Sequence, residues 1–99
     1  MILHTVNKSP FQDNSLDSCL RVAQPDCGIL LIEDAVYAAT ETANGLLTEQ
    51  VLSLHKLYAL IPDLKARGLL ERVKPGVELV DYDGFVQLTE QYDTVQSWY

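Results

Sequence analysis

A chain of 99 residues has room for one domain, spanning 1–99, and for a core, but not for a deep active site of its own. Seven basic residues against fourteen acidic ones give a net charge of −7, which excludes a direct nucleic-acid binder, because a phosphate backbone needs clustered Lys and Arg. A hydrophobic share of 47% is high for so short and acidic a chain and points to apolar surface kept for a partner.

The first element is a strand over Ile2–Val6 (ILHTV), bounded by Asn7, Lys8 and Ser9. A helix follows over Ser15–Ala23, with Leu16, Leu20 and Ala23 at helical spacing and Asp13, Asn14 or Ser15 as cap. Gly28–Glu33 (GILLIE) is a second strand. Its apolar run does not alternate, which marks a central strand buried on both faces of a parallel sheet. The Ala-rich stretch from Ala35 to Thr40 suits a helix that Asn44-Gly45 breaks. Leu47–Leu54 offers another helix, with Leu47, Val51 and Leu54 on one face.

Lys56–Ile61 (KLYALI) is the third strand. Pro62 at the first position and Gly68 past the end then mark a short helix. Val77–Tyr82 (VELVDY) is the fourth strand. Asp83 is placed to cap a last helix with Phe85, Leu88, Tyr92 and Val95 along its buried stripe. Strands alternating with helices predict a small, single-domain, three-layer α/β/α fold with a mainly parallel sheet of about four strands. The closing residues Thr94–Tyr99 (TVQSWY) are too apolar to fray. They either pack back on the domain or dock on another chain, with Trp98 and Tyr99 as the anchors.

No apolar run approaches the roughly 20 residues of a membrane helix, and no cationic leader opens the chain. The expectation is a cytoplasmic protein with reduced thiols and no membrane partner. Cys19 and Cys27 match neither a zinc spacing nor a C-x-x-C redox motif, and His4 and His55 lie far apart, so no metal or cofactor is expected.

Several stretches in order resemble the DsrH/TusB family: MILHTVNKSP at 1–10, IEDAVYAA at 32–39, LYALIPDLKARG at 57–68, VDYDGFV at 80–86 and TVQSW at 94–98. The Cys19-bearing helix and the TVQSW ending look closer to DsrH than to TusB. The resemblance implies a small open α/β fold and a place in a cytoplasmic heterohexamer. That assembly would hold two copies each of this chain and of DsrE/TusD-type and DsrF/TusC-type partners. It also implies passage of persulfide sulfur to a DsrC/TusE-type acceptor, either for intracellular sulfur oxidation, the first expectation, or for 2-thiolation of the tRNA wobble uridine. In such a complex the principal sulfur-carrying cysteine belongs to the DsrE/TusD-type chain, so this one is expected to be a non-catalytic or auxiliary subunit. A rival expectation is a stand-alone α/β binding domain.

Cys19 is the position the resemblance marks as a candidate persulfide carrier. A relay thiol must be exposed and partly ionised. Cys19 is one turn into its helix, where the dipole favours a thiolate, but Asp17 opposes one. It also lies at the edge of the apolar stripe, where free cysteine is a common core residue. Cys27 precedes the second strand, opposite the end where α/β sites usually lie, and reads as inert. Glu33, Asp34 and Asp81 close strands and read as caps or, by analogy with receiver domains, as Mg²⁺ ligands. His4 shares a strand face with Ile2 and Val6 and reads as a hydrogen-bonded core or interface residue.

Overall fold

The computed structural model describes residues 1–25, 27–40 and 47–98. The strands are β1 (Ile2–Val6), β2 (Gly28–Leu31), β3 (Lys56–Leu60), β4 (Val77–Val80) and β5 (Thr94–Trp98). They form one sheet in the order β4-β3-β2-β1-β5, with every neighbouring pair parallel. The helices are α1 (Ser15–Val22), α2 (Glu49–Leu54), α3 (Ile61–Ala66) and α4 (Tyr82–Gln91), with 3-10 helices over Glu33–Ala39 and Leu70–Arg72. The predicted break at Asn44-Gly45 lies outside the described residues. Among the described residues no helix is long and apolar enough to cross a membrane.

Strands β1 to β4 step across the sheet in one direction, and α1, the 3-10 helix, α2 and α3 all pack on one face. After β4 the chain turns back past β1 to β5. A crossover of the same hand running the other way puts α4 on the opposite face. The sheet therefore has five strands rather than about four. The extra one is the closing segment, paired with β1 from Ile2↔Thr94 to Val6↔Trp98. It escaped the strand pattern because it lies at an edge. Thr94, Val95, Gln96 and Ser97 are all exposed, so no buried run marks it.

Local chemistry accounts for most element ends. Leu69 N–H donates to Leu64 O and Gly68 N–H to Lys65 O, a Schellman closure of α3. It needs a left-handed residue, and Gly68 supplies it at φ 67°. At the start of α4 the cap is Asp81, not Asp83: its carboxylate accepts from Gly84 N–H at 2.7 Å. The Ala35–Thr40 stretch is tighter than an α-helix, forming the later part of the 3-10 helix Glu33–Ala39.

Ile29, Leu30 and Leu31 are fully buried, as a central strand requires. Ile29 and Leu31 face the α1 side with Val6, Leu16, Cys19, Leu57, Ala59 and Leu64. Leu30 faces α4 with Leu3, Tyr58, Leu88 and Tyr92. Gly28 begins this strand because a Cβ there would stand 2.6 Å from the Tyr92 hydroxyl.

Candidate functional site

Two residues that sequence reasoning kept apart meet at the N-terminal edge of the sheet. Gly28 pairs with Lys56 across β2 and β3, so the residues just before them, Cys27 and His55, lie side by side. Lys56 N–H donates to Cys27 O at 3.0 Å and holds that register. Cys27 Sγ is 3.3 Å from His55 Nδ1, and both residues are buried. A thiol within hydrogen-bond reach of an imidazole nitrogen has a base to take its proton. The sequence shows that each residue immediately precedes a strand; that the two strands are parallel neighbours comes from the fold.

His4 lies on the same face, further along β1. Its Nδ1 accepts from Trp98 Nε1 at 3.0 Å, which places the proton of the neutral ring on Nε2. Burial, and then the neighbouring His55, push the His4 pKa down. A cavity of about 290 Å³ opens beside this cluster between Met1, Ile2, His4, Gln24, Pro25 and Cys27.

Cys19 lies elsewhere, inside the core under α1 with no exposed surface. Burial, and then nearby Cys27, push its thiol up to about 12. Arg21 on the same helix is turned to solvent and paired with Asp17 at 3.0 Å, so it offers no charge to a thiolate. Cys19 is a free thiol. Trp98 is partly buried against the α1-side core, its indole turned toward His4. Tyr99 lies outside the described residues.

The carboxylates at the other end of the sheet have structural partners. Asp34 accepts from the Arg67 guanidinium at 2.7 and 3.1 Å. Asp63 accepts from the backbone N–H of Glu33, which sits at φ 50°. Among the described residues no group of three or more His, Cys, Asp or Glu could hold a metal ion.

A family model described as DsrH like protein matches residues 8–95. The chain belongs to the DsrH-like family. The TusB protein of Pectobacterium parmentieri is 38% identical, over 98% of this chain and 100% of its own. The TusB protein of Escherichia coli is 34% identical, over the same 98% and 100%. Among solved structures, the YchN protein from E. coli superposes with a TM-score of 0.83 over 98% of this chain and 97% of its own. At 22% identity that likeness concerns the fold.

Proposed function

We propose that this chain is a structural subunit of a cytoplasmic sulfur-relay complex, assembled with DsrE/TusD-type and DsrF/TusC-type partners as a heterohexamer with two copies of each chain. The observation that carries this is the end-to-end relationship to TusB proteins within the DsrH-like family. The reaction served is 2-thiolation of the tRNA wobble uridine through a TusE-type acceptor, which the naming of these relatives favours. Sulfur oxidation through a DsrC-type acceptor is the second reading. The DsrH-like model and the presence of Cys19 in α1 favour it.

A structural role fits the surroundings of Cys19. A carrier thiol attacks as an exposed thiolate, whereas this one is sealed in the core and its ionisation is opposed by burial. Apolar side chains left exposed on β4 and α4, Leu79, Tyr82 and Val86, are consistent with life in an assembly.

The test is co-expression with the two partner types, followed by size-exclusion chromatography and anaerobic loading with a sulfane-sulfur donor. The expected result is one stable complex with added sulfur on the DsrE/TusD-type chain. Delivery to the acceptor should be unchanged by Cys19→Ala. A stable monomer that ignores both partners would make the chain a stand-alone binding domain. Sulfur mapped to Cys19, with delivery lost in Cys19→Ala, would make it a relay participant. Loss of tRNA 2-thiouridine on deletion separates thiolation from sulfur oxidation.

A further inference from the structure

We propose that Cys27 is a nucleophilic thiol with His55 as its base, and that the cavity beside it admits a small uncharged disulfide which Cys27 captures as a mixed disulfide. The proposal goes beyond the relay reading and does not depend on it.

Three observations converge. The first is the Cys27–His55 contact of 3.3 Å, with the base at the end of α2, immediately before β3. The second is the cavity itself. Cys27 lines it, and at about 290 Å³ it approaches the roughly 300 Å³ at which small-molecule pockets begin. Met1, Ile2 and Pro25 make much of its wall among the described residues, and that apolar lining favours an uncharged ligand. The third is His4, only 3% exposed and lining the same cavity. With Nδ1 taken by Trp98, its Nε2–H has no hydrogen-bond partner among the described residues. It is a donor for an acceptor atom on the ligand, such as a ring nitrogen or a carbonyl oxygen.

The step balances without a further reagent. His55 Nδ1 takes the thiol proton as Cys27 Sγ attacks one sulfur of the disulfide. The bond between the ligand's sulfurs breaks as the bond from Cys27 Sγ forms. The electron pair leaves on the other sulfur, and that thiolate takes the proton back from His55. Cys27 is oxidised, the disulfide is reduced to a thiol, and a mixed disulfide remains. His55 also lines a second open cavity with Leu52, Lys56 and Glu78, which gives its proton a route to water. Among the described residues, the titratable groups around the pair include the Met1 amine, His4 from β1, Cys19 from α1, Tyr92 after α4, and Lys56, Tyr58 and Glu78 beside His55.

The test uses the folded full chain and an uncharged dipyridyl disulfide, with adducts mapped by mass spectrometry against time and pH. Cys27 should be labelled at least about tenfold faster than Cys19, because it lines the cavity beside a base whereas Cys19 is sealed in the core with its ionisation opposed by burial. Its rate should rise at a pH below the free-thiol value of about 8.5, because a base already takes the proton. His55→Asn keeps an acceptor near the Nδ1 position but no base. It should slow Cys27 roughly tenfold and move the rise of its rate to the free-thiol value. Equal labelling of the two cysteines would overturn the proposal. So would a wild-type rate that rises only at the free-thiol value, a reading that does not depend on whether the variant folds. A His55→Asn protein with unchanged rate and profile would overturn it as well.

Discussion

The two faces of the sheet are covered very differently. On one side α1, the longer 3-10 helix, α2 and α3 bury a continuous layer that includes Val6, Leu16, Cys19, Leu31, Val36 and Leu64. On the other side α4 lies alone over Leu3, Leu30 and Tyr58, and its outward residues Tyr82 and Val86 are 61% and 56% exposed. The first face is a closed core. The second is held by a few large contacts, chiefly Leu88 and Tyr92, and leaves apolar surface uncovered. The fold's own stability is concentrated on the α1 side, which opens at the N-terminal edge of the sheet beside Cys27 and His4.

The sharpest way to break that contrast is to cut a leucine on each side. Leu31→Ala should fall near the top, and Leu88→Ala near the bottom, of the roughly 2–5 kcal/mol that such truncations cost. The difference arises because the α1-side layer cannot collapse onto a cavity, whereas α4 can shift. Equal losses in urea unfolding would show that α4 is packed as tightly as the other layer.

Gly28 probes the thinner face from within the sheet. A Cβ at this position would meet the Tyr92 oxygen at 2.6 Å and the ring carbon bearing it at 2.7 Å, so Gly28→Ala should cost about 1–3 kcal/mol by overpacking. In a Tyr92→Leu background the same substitution should cost clearly less. Additive costs would mean that the ring moves aside freely.

Cys19 probes the thicker face. Cys19→Ala removes one sulfur from a full core and should cost about 1 kcal/mol. Cys19→Ser keeps the size but buries a hydroxyl among Leu16, Val6 and Leu31, and should cost more, about 1–3 kcal/mol. A serine variant as stable as wild type would mean that the site holds a hydrogen-bond acceptor or water, and the description of Cys19 as core would fail.

Much of this arrangement was legible before the structure. The first four strands follow from apolar runs bounded by turn residues, and GILL could only be central. Gly68 and Pro62 announced α3 because their backbone preferences act locally. The missed features depend on partners distant in sequence. Thr94–Trp98 is a strand only because β1 offers it an edge, and its exposed polar residues hide that. Asp81 rather than Asp83 caps α4 because β4 ends at Val80. Cys27 and His55 meet only through the register of β2 with β3, and His4 meets Trp98 only once β5 has docked. Each of these contacts is set by strand order, which periodicity within one segment cannot supply.

The smallest expected effect concerns the link between His4 and that docked edge. Burial lowers the His4 pKa below its ordinary 6.5, so the folded chain prefers the neutral ring, whose Nδ1 accepts from Trp98. The sign of the linkage follows. Above pH 6.5 neither the folded nor the unfolded chain protonates this ring, and its contribution to stability is complete. As pH falls, the unfolded chain takes up the proton first, so stability declines until the pH has passed the lowered folded value. Asp13 and Asp93, held below their ordinary 3.8, act only at lower pH and do not mask that window. His4→Asn should therefore flatten the stability profile below pH 6.5 while sparing the carboxylate-driven loss at lower pH. Trp98 is the chain's one tryptophan, so its emission reports the same event in the native state. It should change on acidification in wild type and stay level in the variant. If emission changes equally in both, the indole senses another group, and β5 is held to β1 by its backbone ladder and the Thr5–Ser97 hydroxyl contact without help from His4.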